Sequence, residues 1–159
     1  MDYRKEYEKW LASPALSEDE RAELRALEGN DKEIKARFYG PLEFGTAGLR
    51  GTMYTGLHNM NRHVIRWATQ GFANVIRAEG EEAMQKGVAL CMDCRNHSAE
   101  FARETACVMA ANGIHVRLFE SLRPTPELSF AVREYGCQAG VNVTASHNPK
   151  EYNGYKVYW

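Results

Sequence analysis

Between residues 88 and 143 the sequence alternates strand-like apolar runs with amphipathic helical stretches, which restricts the chain to very few folds. Val88–Asp93 is a short apolar run. Ser98 then starts a stretch with Phe101, Thr105, Val108 and Met109 on one helical face, closed by Gly113. Ile114–Phe119 is a second apolar run. Thr125, with Pro126 at the first helical position, opens another helix through Leu128, Ala131 and Val132 to Gly136. Cys137–Val143 is the third run. Strand, helix, strand, helix, strand at this spacing is a βαβαβ unit, whose parallel strands require right-handed crossovers. The expected fold is a three-layer α/β domain with a mixed, mostly parallel sheet and helices on both faces.

Around this unit the chain divides by charge. Its first 38 residues carry 8 basic and 10 acidic side chains, and the remaining 121 carry 12 and 11. The preamble reads as helices. Tyr3, Tyr7, Trp10 and Leu11 share one helical face, and Ser17 with Glu20 forms a capping box ahead of Leu24 and Leu27. Asn30 with Glu33 repeats the signal before Ile34 and Phe38, and Gly40-Pro41 ends it. Residues 1–40 are therefore expected to form a helical N-terminal extension, with the domain proper at 41–159. Asn61 caps a further helix with Val64, Ala68, Phe72, Val75 and Ile76 along one stripe, ended by Gly80.

A net charge of −1 recruits neither nucleic acid nor an anionic membrane. No apolar run approaches the roughly 20 residues of a spanning helix, and MDYRKEYEKW is too charged for a signal peptide. A cytoplasmic setting with four reduced cysteines is expected.

In parallel sheets ligands sit beyond the carboxyl ends of the strands. That rule selects DCRNHS, LRPTPE and TASHNPKEYNG. In TASHNP, Ser146 follows a buried run, and Asn148-Pro149 forces a turn that can present its hydroxyl and turn backbone N–H groups inward. His147 adjoins it, with Lys150 and Lys156 nearby in sequence. Acyl transfer is disfavoured: G-x-S-x-G is absent, and sequence-adjacent side chains rarely form a serine–histidine hydrogen bond. Thr144, Ser146 and Asn148 also suit a plain polar turn. Earlier in the chain, FGTAGLRG places Gly45, Gly48 and Gly51 around Arg50, whose fork suits phosphate. It matches neither G-x-G-x-x-G nor the Walker pattern, and alone it reads equally as a glycine-rich hairpin.

Together these segments are far more specific. FGTAGLRG, DxR at Asp93 and Arg95, the pair Thr125-Pro126, TASHNP and NGYK, in that order, closely resemble the α-D-phosphohexomutase family of phosphoglucomutases and phosphomannomutases. EKWL and KEIKARFYGPLEFGT look most like the bacterial phosphoglucomutase or phosphopentomutase branch. The resemblance implies that Ser146 is the phosphoserine that exchanges a phosphoryl group with a sugar phosphate through a sugar bisphosphate. It implies that His147 assists proton transfer, that Lys156 lies near the reacting phosphate, and that Arg50 is the active-site arginine. Asn148, Asp93 and Arg95 would support the serine loop. It also implies one Mg2+ per site, reaching this chain only through the phosphate on Ser146.

The resemblance carries gaps. The family's D-G-D-x-D-R metal loop is missing, because aspartate occurs only at positions 2, 19, 31 and 93. Its sugar-reading loop and C-terminal phosphate loop are missing too. The final NGYKVYW reads as a strand without a turn or cap, so the domain is expected to be truncated at its C-terminus, with domains II–IV of a parent protein absent. The chain alone would then be inactive as a full mutase. A rival reading is a truncated non-catalytic domain that binds sugar phosphate weakly or self-associates through exposed apolar surface. The spacing of Cys91, Cys94 and His97 also admits zinc, although burial of Cys91 in an apolar strand favours a plain core thiol.

Overall fold

A computed structural model describes residues 1–46 and 48–159; Ala47, inside FGTAGLRG, lies outside the described residues. The extension comprises α1 (Tyr3–Leu11), α2 (Glu18–Arg25) and α3 (Asp31–Phe38). Then follow β1 (Gly48–Thr52), α4 (Arg62–Ala78), α5 (Glu81–Lys86), β2 (Val88–Met92), α6 (Ser98–Ala111), β3 (Val116–Leu118), α7 (Thr125–Glu134), β4 (Ala139–Val143) and β5 (Tyr152–Tyr158).

The strands form one sheet in the order β1-β5-β4-β2-β3. β2 lies parallel to β3 and β4, as the βαβαβ spacing requires. β5 runs antiparallel to both β4 and β1, so the sheet is mixed and the parallel pairings are confined to the βαβαβ unit. The reason is loop length. Residues 144–151 are too few for a crossover, so the chain leaving β4 can only return alongside it.

Side-chain alternation sorts the sheet into two unlike faces. Val88, Leu90, Val141, Val143, Leu49 and Tyr155 point toward α4 and α6 and build the main core. Tyr155 is fully buried, and its hydroxyl is hydrogen-bonded to Thr69 Oγ1 at 3.1 Å. Ala89 and Cys91 point the other way, against Leu128 and Val132 of α7. There α7 sits close to the backbone: a Cβ added at Gly140 would lie 2.7 Å from Val132 Cγ2.

The extension packs through Leu16, Leu24, Leu27, Ile34 and Phe38, and Trp10 meets both this cluster and the main core. Polar contacts seal the joint. Glu20 pairs with Arg62 at 2.6 Å and with His63 at 3.1 Å, while Glu23 accepts from Thr55 and Arg37. The Ser17–Glu20 capping box forms with both reciprocal bonds; Asn30 makes only the forward bond, to the Glu33 amide.

Four local readings are corrected. Ser98 is not a cap but the first helical residue, preceded by His97 in the left-handed region, because its hydroxyl is drawn to Asp93. Thr125 is likewise inside α7, with Pro124 at the cap position and Asn142 donating to its hydroxyl. The six-residue α5, between Gly80 and Gly87, is an addition to the expected elements. The buried stripe of α4 is Val64, Ile65, Thr69, Ala73 and Ile76, and Val75 is half exposed. Val75, Trp67, Phe72, Phe44 and Val157 instead line an open apolar groove of about 520 Å³.

Candidate active site

β4 delivers its chain to the rim of the sheet through buried Thr144 and Ala145. Ser146 then emerges exposed, with φ +57°, a left-handed conformation that costs an L-residue roughly 1–2 kcal/mol. Local bonds hold it there. The Ser146 amide donates to Thr144 Oγ1 at 3.0 Å, and the Asn148 amide donates to the Ala145 carbonyl at 3.1 Å. Ser146 Oγ lies 3.3 Å from His147 Nδ1, a long contact between neighbours whose side chains are not expected to meet.

Arg95 does most to fix the loop. From the turn after β2 its Nη1 donates to the carbonyls of Pro149 and Tyr152, both at 3.0 Å. Its Nη2 donates to the carbonyls of Ser146 at 2.8 Å and Asn148 at 2.6 Å. Asp93 lies 3.5 Å from Arg95 Nε and balances its charge. One planar fork thus spans the whole serine loop, a geometry that lysine cannot reproduce.

Arg50 approaches from β1. Its Nη1 donates to Asn148 Oδ1 at 3.0 Å, linking two motifs 98 residues apart in sequence. In the register of β1 and β5, Arg50 is opposite Gly154 and Lys156 is opposite Gly48, so both basic residues occupy the same sheet face. Lys156 is also paired with Asn142 of β4 and is partly exposed. Among the described residues it has no hydrogen bond to Ser146, His147 or Arg50. Gly154 permits this close arrangement: a Cβ there would meet the Thr144 carbonyl oxygen at 2.6 Å and the Leu49 carbonyl oxygen at 2.9 Å.

Ser146, His147, Asn148, Arg50, Asp93 and Arg95 therefore share one loop cluster, and Lys156 lies lower on the same sheet face. Two further participants, Ser98 at the end of DCRNHS and Asn153 at the start of NGYK, are given no role by the motif reading. Asn153 is fully buried and donates to Ser98 Oγ and to the Asn96 carbonyl; Ser98 is fully buried and donates to Asp93. The available signal is an asparagine beside Gly154 in a strand otherwise dominated by tyrosine and valine.

Metal chemistry finds few donors here. Among the described residues no group of three or more His, Cys, Asp or Glu side chains is placed to hold a metal ion. Asp93 is engaged by Ser98 and Arg95, so these residues do not fit a divalent-cation cage. Cys91 faces α7, and burial pushes its thiol up to about 12, where it stays protonated at neutral pH.

A mixed α/β sheet that presents a left-handed serine between Arg50 of β1 and Arg95 of the turn after β2 agrees with the phosphosugar-mutase type of domain that the motifs resemble. Residues 41–159 match the model for phosphoglucomutase/phosphomannomutase, α/β/α domain I, and the chain belongs to that family. It is 43% identical over 138 residues to the human phosphopentomutase, covering 83% of this chain and 22% of that protein. It is 41% identical over 129 residues to a Staphylococcus aureus phosphoglucomutase, covering 81% and 23%. The crystal structure of a putative phosphomannomutase from Thermus thermophilus superimposes with a TM-score of 0.67 at 31% identity, covering 75% of this chain and 26% of that one. The chain thus spans less than a quarter of the length of the two curated relatives. Among the described residues, no helix is long and apolar enough to cross a membrane.

Proposed function

We propose that the chain is the phosphoserine domain of a cytoplasmic sugar-phosphate mutase, with Ser146 carrying the phosphoryl group. The observation that carries this reading is the loop geometry: an exposed serine in a strained backbone conformation, clamped by one arginine and flanked by another. Strain of this kind persists where the surroundings over-determine it, and it clusters at functional sites.

In the forward half-reaction a hydroxyl oxygen of the sugar monophosphate attacks phosphorus on phosphorylated Ser146. The Ser146 Oγ–P bond breaks, a sugar O–P bond forms, the attacking hydroxyl gives its proton to a base, and the departing Ser146 Oγ takes up a proton from protonated His147. The free serine then receives the other phosphoryl group of the bisphosphate after it reorients, regenerating the phosphoserine. In this reading His147 takes the serine proton in that return step, supported by its 3.3 Å approach to Oγ. Arg50 and Lys156 supply positive charge toward the transferring group, which is the main protein contribution in phosphoryl transfer. Mg2+ belongs to this reading as the partner of the phosphate, with its carboxylate ligands outside the described residues.

The substrates proposed are an aldose monophosphate and its bisphosphate, and the remaining domains of a longer mutase are the proposed partners. The test uses the chain itself. Incubation with glucose 1,6-bisphosphate and magnesium should add one phosphoryl mass, localised to Ser146 and absent from Ser146→Ala. A folded sample without the adduct would overturn the reading and favour a non-catalytic phosphate-binding domain.

A further inference from the structure

We infer that Ser98 and Asn153 are positioning residues that set the Arg95 clamp, and through it the backbone of the Ser146 loop. The inference rests on the reading of Ser146 as the phosphoryl carrier and names side chains which that reading does not use. It starts from hydrogen-bond direction. Asn153 Oδ1 accepts the Gly154 amide at 2.8 Å, so its Nδ2 must be the group facing Ser98 Oγ at 3.0 Å and the Asn96 carbonyl at 2.9 Å. Ser98 Oγ accepts from that amide and so directs its single proton to Asp93 Oδ1, 2.8 Å away. The same Asp93 oxygen accepts the Arg95 amide at 3.0 Å, and its other oxygen faces Arg95 Nε at 3.5 Å.

The result is a one-way chain: Asn153 to Ser98, Ser98 to Asp93, Asp93 paired with Arg95, and Arg95 to four carbonyls of residues 146–152. It joins β5, the start of α6, the turn after β2 and the serine loop. Ser98 and Asn153 are both fully buried, so neither can exchange its protein partner for solvent. Deleting one leaves a buried donor or acceptor unpaired, and the nearest way to relieve that is movement of Asp93. A shift there swings the guanidinium and relaxes the left-handed backbone at Ser146. Neither residue touches the reacting atoms; their effect is the placement of Oγ.

The experiment uses the full chain, glucose 1,6-bisphosphate as phosphoryl donor, and Ser98→Ala, Asn153→Ala and Thr105→Ala. Thr105 is a fitting control because it is buried on the same helix and its hydroxyl donates to the Phe101 carbonyl and adjoins the Tyr155 hydroxyl, with no bond to Ser98, Asn153, Asp93 or Arg95. Ser98→Ala and Asn153→Ala should slow adduct formation by between ~10-fold and ~100-fold while far-ultraviolet circular dichroism stays native. Thr105→Ala should leave the rate within about twofold of the parent. Ser98→Ala combined with Arg95→Lys should be little slower than Arg95→Lys alone, since both act through one guanidinium.

Hydrogen exchange gives a readout independent of chemistry. In Ser98→Ala the amides of Ser146, Asn148 and Tyr152 should lose protection, while that of Met60, which donates to the Thr52 carbonyl at 2.9 Å, keeps it. If the parent forms no adduct but this selective loss occurs, the assignment of Ser146 fails and the positioning role stands. Parent-like rates and parent-like loop protection in both variants would overturn the inference. Equal slowing by Thr105→Ala would also overturn it, by reducing the effect to general destabilisation.

Discussion

The two faces of the sheet are built from different side chains and do different work. Toward α4 and α6 the strands present Val88, Leu90, Val141, Val143 and Tyr155, all essentially without solvent exposure. Toward α7 they present Ala89, Cys91, Gly140, Asn142, Gly154 and Lys156, with Arg50 on β1. Large apolar groups on the first face supply burial. Small groups on the second let a helix and a loop approach the backbone and leave room for two cations. Large-group burial and the two cations are thus divided between opposite sides of the same strands, and the serine loop lies on the rim, reached from the first side by Asn153 and Ser98.

The largest effect expected from breaking this division is on the apolar face. Tyr155→Ala should destabilise the chain by ~3–5 kcal/mol, since it opens a ring-sized cavity and orphans the Thr69 hydroxyl. Leu128→Ala, beneath the smaller α7 cluster, should cost about 2–4 kcal/mol. Urea titration measures both, and an α7-face loss larger than the Tyr155 loss would abolish the distinction. Lys156→Met should change stability by no more than ~0.5 kcal/mol yet suppress adduct formation on Ser146, the signature of a face used for charge. A parent-like phosphorylation rate in that variant would remove Lys156 from the site.

The smallest expected effect concerns the seal between the extension and the apolar side of the body. Burial chiefly, with the nearby Arg62 and Arg66 charges, lowers the His63 pKa below its ordinary value, against the opposing pull of Glu20. A depressed histidine leaves the unfolded chain with more bound protons, so stability should fall as pH drops below about 6.5. Glu20 is raised by burial but lowered overall by the Ser17 amide and Arg62, so its contribution is lost further into acid. Melting temperatures at pH 7.5 and 5.5 should therefore differ less in His63→Gln than in the parent. An equal difference would show that His63 does not set the acid sensitivity.

Much of this division is legible in the sequence, and the unread parts have physical reasons. The βαβαβ unit is encoded in local apolar periodicity, so its strands and crossovers are readable to within a few residues. β1 escapes because GLRGT has no alternating apolar pattern and is a strand only through pairing with β5. Val75 falls on the periodic stripe of α4 yet stays exposed, because periodicity gives the angle of a helical face, not which part of it a neighbour covers. At the site, motif order places Ser146, Arg50 and Arg95 in one family pattern. The contact of Arg50 with Asn148 and the four-carbonyl reach of Arg95 depend on three-dimensional closure, which no local pattern records. Ser98 shows the same limit in miniature: its position suggests a cap, and a tertiary partner claims its hydroxyl.

Gly154 has a consequence for how variation can enter this region. The space above its Cα is filled by the carbonyl oxygens of Leu49 in β1 and of Thr144 just beyond β4, backbone atoms that no rotamer change can withdraw. The missing methyl is therefore part of the spacing between three strands at once. Any side chain at 154 would wedge β4 away from β5 and lift the serine loop, even with every cation and hydroxyl kept in place. At this point of the fold the site's accuracy is stored as an absence of atoms.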